Sequence, residues 1–502
     1  MINRVVINLM DGGFLPRAIA GRPVVEWVLE YARSLVPEKD IAFTGTAPGG
    51  IPGFPYTRLE SASAACLVDA LRELSRAHDT VYDTIIYVFG DSPFLDAGAT
   101  RRMLENHARY YAHYTFADGY PAGITPEIIA VRTLPALAGL CPASPPLPLN
   151  RETLFTLIQK DINAFDIETE LSPKDLRLLR ASLTAGTRRD HLLCERVAAA
   201  LPAGEAPAGA AITAVLEQKP EIMRTLPAYI GVQITEECPH TCVSCPYPLL
   251  GGITKKGCMP AGDFECVTRK AAAFCGEAVI GVSLWGEPSF HPDFTRLARA
   301  VADEPGLSLL VETSGIGWKD EVIRECAVML GPRLSWIVSL DATGPEQYAH
   351  LKGGSKHWDE ALSRTGMLLA EFPDTVYVQS LRMNDNEETL ETFYKAWKEK
   401  TPHLIIQKYD WFCGFLPQRK VTDLSPLDRF PCRHLQRDLY VLGDGSVPLC
   451  RDDLRTTVLL GNLLRDDMDA IWEKGSGLYR EHLAGNYTSI CGNCDEYYTW
   501  NF

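Results

Sequence analysis

The chain has 502 residues, 46% of them hydrophobic and 23% charged, a balance that suits a globular protein of two to four domains with sizeable cores. Its 64 acidic residues against 49 basic ones leave a formal net charge of -15, which argues against a general binder of nucleic-acid backbones. No apolar run reaches the length of a membrane span, and the opening MINRVVINLMDGG turns polar and glycine-rich too early for a secretory signal, so a cytoplasmic protein without membrane insertion is expected. In that reducing compartment fifteen cysteines read as ligands or buried apolar side chains, not as bridges.

The first predicted strand, Arg4-Val5-Val6-Ile7-Asn8-Leu9-Met10, breaks at Asp11-Gly12-Gly13, and a helical stretch follows from Arg22-Pro23 through Leu29. A second buried strand, Thr84-Ile85-Ile86-Tyr87-Val88-Phe89, runs into Gly90-Asp91-Ser92-Pro93-Phe94-Leu95-Asp96. Strand, glycine turn and helix open a Rossmann-like α/β unit, and carboxylates just past a strand end are placed to hold a divalent ion bridging phosphates. Together with Ala117-Asp118-Gly119-Tyr120-Pro121 these pieces resemble the sugar-nucleotide and cytidylyl transferases, and the resemblance implies a nucleotidyltransferase-type first domain. Active relatives cradle a triphosphate with small residues and cations in the first loop, where this chain has Asp11, Phe14 and Pro16. That favours a recognition domain or a scaffold over nucleotidyl transfer. Arg151 to Leu201 is charged and helical in period, with Leu154, Leu157 and Ile158, then Leu176, Leu178, Leu179 and Leu183, as apolar faces, and is expected to be a helical end-piece of a domain over 1-201. The small residues, prolines and glycines that begin at Pro202 predict a linker over 202-225.

Next, Tyr229 to Thr235 reads as a strand that delivers Cys238-Pro239-His240-Thr241-Cys242-Val243-Ser244-Cys245 at its carboxyl end, where α/β barrels collect their chemistry. Three thiolates so close together can hold three irons of a [4Fe–4S] cluster and leave the fourth iron open to a cofactor. A zinc site completed by His240, or redox thiols, are the alternatives these cysteines leave. Further strands are predicted in rhythm, each ending in polar residues: Ala278 to Leu284 before Trp285-Gly286-Glu287-Pro288, Leu307 to Val311 before Glu312-Thr313-Ser314-Gly315, and Trp336 to Leu340 before Asp341. Thr375 to Gln379 and Leu404 to Gln407 complete the series, with helical stretches such as Phe264 to Phe274 and Ala361 to Glu371 between.

The spacing Cys-x3-Cys-x2-Cys matches the motif of the radical S-adenosylmethionine (SAM) enzymes, and the resemblance covers a partial (β/α)6 barrel over 226-420. It implies that Cys238, Cys242 and Cys245 bind a [4Fe–4S] cluster whose open iron is chelated by SAM. Gly286, Glu287 and Pro288 resemble the family's Gly-Gly-Glu-Pro element, which meets the SAM amino group, with Trp285 in place of the first glycine. Glu312 resembles the acidic residue near the ribose, Ser339 and Asp341 stand in another SAM-contact segment, and Gln379 with Arg382 matches a later strand of peptide-modifying members. The chemistry implied is reductive cleavage of SAM to a 5′-deoxyadenosyl radical that abstracts hydrogen from the substrate.

Residues 421-502 carry a second set, Cys432, Cys450, Cys491 and Cys494, with Gly443-Asp444-Gly445-Ser446 predicted as a hairpin turn between Leu439 to Leu442 and Val447 to Cys450. Spacing alone fits zinc almost as well as a cluster. Beside a radical SAM barrel the set resembles a SPASM/twitch-like domain, along with Cys450-Arg451-Asp452-Asp453, Gly461-Asn462-Leu463 and Ile471-Trp472, which implies one auxiliary [4Fe–4S] cluster. Cys66, Cys141, Cys194, Cys258, Cys266, Cys275, Cys326 and Cys413 lack such spacing and are expected to be core or surface thiols. The order of the three parts resembles the spiro-SPASM family. The expected function is a radical SAM enzyme acting on a peptide, protein or nucleotide-linked substrate, supplied with electrons by a flavodoxin or ferredoxin. The alternatives are a bifunctional enzyme of sugar-nucleotide metabolism with an active nucleotidyltransferase, and a non-catalytic iron–sulfur or zinc protein.

Overall fold

A computed structural model describes residues 2–77, 80–202, 208–250 and 257–499. The chain forms two compact units, Met1–Met223 and Arg224–Phe502. In the first, seven strands, β1 (Asn3–Asn8), β2 (Ile41–Gly45), β3 (Tyr56–Arg58), β4 (Thr84–Phe89), β5 (Tyr114–Asp118), β6 (Glu127–Ala130) and β7 (Ile167–Leu171), form one sheet in the order β7-β5-β6-β4-β1-β2-β3. All pairs are parallel except those made by β6, which runs antiparallel to both β4 and β5. The central strands β2 and β4 are buried along their whole length, as strands covered on both faces require, and their β-branched and aromatic residues suit that place.

Three expectations for this unit change. The segment after Arg151 is not continuously helical: helices Thr153–Gln159 and Arg188–Ala200 flank β7, whose isoleucine and leucine extend the sheet edge, and Leu178 is 60% exposed. Residues 203–207 of the expected linker lie outside the described residues, and Gly209–Gln218 is a helix, because Ile212 and Leu216 share a face that buries beside Leu193 and Val197. Asp96 does not wait for a metal. It is the N-cap of helix Ala97–Arg109, with Oδ1 accepting from the N–H groups of Gly98 (2.7 Å) and Ala99 (3.0 Å) and Oδ2 from that of Gly209 (2.7 Å). Asp96→Ala is therefore expected to cost about 1–2 kcal/mol of stability, the upper range for a lost cap, checked by denaturant unfolding.

In the second unit β8 (Tyr229–Val232), β9 (Ala278–Gly281), β10 (Leu307–Thr313), β11 (Leu334–Ser339), β12 (Val376–Arg382), β13 (Leu404–Lys408) and β14 (Asp438–Val441) form an all-parallel sheet in the order β13-β12-β11-β10-β9-β8-β14. Helices Ala261–Cys275, Phe294–Ala302, Asp320–Leu330, Trp358–Glu371 and Leu390–Lys398 connect successive strands from β8 to β13 and cover the core. Two glycines make room inside: a Cβ on Gly231 would stand 2.6 Å from the Tyr440 ring, and one on Gly281 would stand 2.1 Å from the Tyr229 hydroxyl. The predicted hairpin at Gly443 turns as expected, with the Leu442 N–H donating to Ser446 O at 2.8 Å, but its arms pair elsewhere. β14 is buried throughout and joins β8 as the seventh parallel strand, while β15 (Ser446–Pro448) pairs antiparallel with β16 (Leu459–Asn462). Through β14 the residues after 420 share the parallel sheet within the compact unit Arg224–Phe502.

Candidate active site

The cysteine loop follows β8. Cys238 is exposed and Cys242 and Cys245 are partly buried. The loop is anchored through its backbone: the Thr241 N–H donates to Lys352 O at 3.1 Å and the Val243 N–H to Leu351 O at 3.0 Å. Those carbonyls end helix Pro345–Lys352, where the last turn leaves acceptors unused. Gly353 closes that helix at φ 83, and a Cβ there would meet Thr241 Oγ1 at 2.0 Å, so both conformation and close approach demand glycine. Lys352 turns its buried ammonium onto Asp341 Oδ2 at 2.5 Å, and Asp341 Oδ1 accepts from the Leu381 N–H at 2.7 Å. An ion pair that sequence spacing did not suggest therefore ties the cysteine loop to the ends of β11 and β12.

His240 does not join the three thiols. Its Nε2 meets Ser314 Oγ at 3.1 Å and the Tyr348 hydroxyl at 3.4 Å, and burial, with Lys352 nearby, holds its pKa down at about 4. The imidazole is neutral and packs edge-on to Tyr348 and His357. Its Nε2 is thus engaged by Ser314 and Tyr348, which counts against His240 as the fourth ligand of the zinc alternative.

The polar residues predicted from the strand ends come together over the same edge of the sheet. Gly286 lets the chain pass the Thr235 carbonyl, since a Cβ there would stand 2.2 Å from that oxygen. Trp285 has φ 58, the left-handed region that suits the glycine of the resembled motif, and its buried ring packs with Leu250, Leu442 and Leu454 and against Phe412, centroids 5.6 Å apart. Glu287 is buried: Oε1 accepts from Thr313 Oγ1, and Oε2 accepts from the Ser314 N–H at 2.8 Å and Ser314 Oγ at 2.7 Å. Burial raises its pKa, against the pull of those donors. Pro288 is buried at the start of the turn Pro288–Phe290. Burial likewise raises the Glu312 carboxyl, which Arg451 opposes, while the Glu312 N–H is held by Ser283 Oγ at 2.6 Å. Ser339 on β11 receives a hydrogen bond from Gln379 Nε2 on the neighbouring β12 at 3.0 Å. Arg382 is different: both arms of its guanidinium are taken by Glu387, at 2.8 and 2.7 Å.

The second cysteine set also assembles, with an addition. Cys432, Cys450, Cys491 and Cys494 line one cavity, and so does Cys413, which the sequence placed among the unassigned thiols. Cys413, Cys494 and Asp452 bring their ligand atoms within 4.8 Å of one another. The Cys413 hydrogen bond pulls the Cys494 thiol down to about 7, whereas burial pushes Cys491 up to about 11 and raises Cys432 and Cys450. Arg451 lies partly buried at the cavity, bound to Asp410 Oδ2 at 2.6 Å and close to Asp452 and Glu496. The Cys494 sulfur accepts the Glu496 N–H at 3.3 Å.

Known proteins resemble parts of this chain. A family profile described as SPASM, an iron–sulfur cluster-binding domain, matches residues 432–495. An uncharacterized protein of Treponema pallidum (strain Nichols) is 37% identical over 360 residues, 70% of this chain and 98% of that one. The GTP 3′,8-cyclase of Aeromonas hydrophila subsp. hydrophila is 28% identical over 179 residues, 35% of this chain and 51% of that one. The crystal structure of Streptococcus suis SuiB bound to precursor peptide SuiA aligns at 14% identity with a TM-score of 0.42, covering 52% of this chain and 68% of that chain. The chain thus belongs to one family with the Treponema pallidum protein, and its residues 432–495 match the SPASM iron–sulfur cluster-binding domain. Among the described residues no helix is long and apolar enough to cross a membrane.

Proposed function

We propose that Cys238, Cys242 and Cys245 hold the cluster at which SAM is cleaved, that Cys432, Cys450, Cys491 and Cys494 hold one auxiliary cluster, and that the substrate is a peptide or another sizeable molecule. The observation that carries this reading is the loop of three thiols anchored to Lys352 and Leu351, with His240 turned to Ser314, a donor set of three sulfurs that fits a cluster with one open iron. When bound, the cluster and SAM supply methionine and a 5′-deoxyadenosyl radical able to abstract hydrogen from an unactivated carbon. The protein's own groups position and shield. Glu287, fixed by Thr313 and Ser314, would offer its buried carboxylate to the SAM ammonium, and Gly286, packed on the Thr235 carbonyl, would leave room beside it. Gln379 and Ser339 brace each other as polar contacts, and Glu312 would serve the ribose. Arg382 reaches a ligand only by releasing Glu387. A low-potential donor such as flavodoxin or ferredoxin supplies the electron. Anaerobic incubation with SAM and dithionite tests the reading by release of 5′-deoxyadenosine.

In this reading the first unit recognises a nucleotide-linked or carrier-linked group. A cavity of about 540 Å³ beyond β1 and β4 is lined by Asp11, Asp91, Asp190 and Arg151. Asp91 is buried and paired with Arg151, so its carboxylate is already neutralised by a cation that the sequence placed in a helical cover. A divalent ion would have to displace that guanidinium, which supports recognition over nucleotidyl transfer. No metal-dependent pyrophosphate release from CTP is expected; release that is lost in Asp91→Asn would establish the bifunctional alternative.

A further inference from the structure

Two of the loops that fix Glu287 run on into a second cavity of the same unit, which the proposed chemistry leaves unused. Its volume is about 480 Å³, and it is lined by the turn Pro288–Phe290, after β9, and by Gly317 to Val322, after β10. Ser289 follows Glu287 by two residues, and the Glu287 donors Thr313 and Ser314 stand just before Gly317.

The cavity has the opposite charge to the chain. In a protein of net charge -15, Arg296, Arg299 and Lys319 line this one space, and Asp293 is the sole carboxylate among its described lining residues. Arg296 is held by Glu265 at 2.7 Å, whereas Arg299 and Lys319 have no ion pair among the described residues. Asp320, next to Lys319, is turned to Arg364 and Arg324. Backbone donors converge here too. Helices Phe294–Ala302 and Asp320–Leu330 both begin at the cavity wall, and neither N-cap side chain, Asp293 or Lys319, accepts a hydrogen bond from its own helix. Such free N–H groups favour an anion.

Ser289 supplies an independent sign of a ligand. Its Oγ is buried, yet it has no hydrogen-bond partner among the described residues, where a buried hydroxyl ordinarily finds one. Gly317 passes over it at φ 73, and a Cβ there would stand 2.6 Å from that oxygen. Glycine thus keeps space beside an unused donor in a cation-lined cavity. Phe290, 37% exposed, adds an apolar wall.

We propose that this cavity binds the phosphate group of a small phosphorylated ligand, with Arg299 and Lys319 as counter-charges and the Ser289 hydroxyl donating to one phosphate oxygen. Phosphate oxygens accept several charge-assisted hydrogen bonds at once, and the volume leaves room for an organic part beside Phe290. The site goes beyond the proposed reaction and depends on neither a cluster nor SAM.

Isothermal titration calorimetry of the full chain at low ionic strength, with inorganic phosphate and with phenyl phosphate as probes, tests the proposal. Saturable binding of both is expected, tighter for phenyl phosphate. Ser289→Ala is expected to weaken it about tenfold, as loss of one hydrogen bond to a charged group does, and Arg299→Ala with Lys319→Ala to weaken it at least as much. Asp293→Asn is expected to tighten it. Because the Ser289 hydroxyl has no partner in the fold, its removal should leave the thermal transition in place, so that the affinity change is not a folding defect. Absence of saturable binding in the unsubstituted chain overturns the proposal. Affinity unmoved in Ser289→Ala, whatever the double variant does, overturns it by reducing the cavity to a patch of surface cations. Phenyl phosphate bound no more tightly than inorganic phosphate overturns the phosphorylated ligand in favour of the free ion.

Discussion

Replacing Cys238, Cys242 and Cys245 together by alanine is expected to abolish 5′-deoxyadenosine formation and leave the fold of the second unit in place. The loop that carries them is fastened by the N–H groups of Thr241 and Val243, which alanine at the three cysteines does not alter. None of the three thiols belongs to the apolar core of the unit, and Cys238 is exposed. The substitutions therefore remove no core side chain, and each is expected to cost about 1 kcal/mol or less. What is lost is a cofactor site, so iron should drop from about eight per chain to about four while the auxiliary centre persists. The product is measured by chromatography after incubation with SAM and dithionite. Cleavage of SAM that persists in the triple variant would refute the assignment of these thiols.

Lys352→Met is expected to be the most destabilising single substitution in the site. Lys352 and Asp341 are both buried, with side chains 6% and 3% exposed, and each is the other's main counter-charge. Removing the ammonium leaves a buried carboxylate with one remaining backbone donor, Leu381, and breaking such a pair from one side costs about 3–5 kcal/mol. The cost concentrates at the carboxyl ends of β11 and β12 and at the helix end that holds Thr241, so reconstituted iron and SAM cleavage should fall as well. Adding Asp341→Asn is expected to restore part of the stability, because the double variant buries no unpaired charge. The measurement is the calorimetric transition of the second unit in single and double variants. A loss under about 1 kcal/mol in Lys352→Met would mean that the pair is solvated in solution.

Local pattern carried the chemistry of this chain. Three cysteines within eight residues, Gly286-Glu287-Pro288, and buried strands each ending in polar residues are short-range features, and short-range features survive being read in one dimension. They predicted the parallel sheet from β8 to β13 within a few residues and picked out the polar residues at the carboxyl ends of its strands. What the sequence could not carry were contacts with no regular spacing. β14 reads as one arm of a hairpin because its turn is local, yet burial on both faces is satisfied only by joining β8, more than two hundred residues earlier. Arg151 sits in a charged, helical stretch, and only folding shows that its guanidinium neutralises Asp91. Lys352 is an ordinary residue at a helix end until Asp341 is brought beneath it. Cys413 has no ligand spacing to any other cysteine. A strained turn after β13 and the Asp410–Arg451 pair deliver it to Cys494, so the fifth thiol of the auxiliary centre is set by packing and buried charge, which act between segments that the sequence keeps apart.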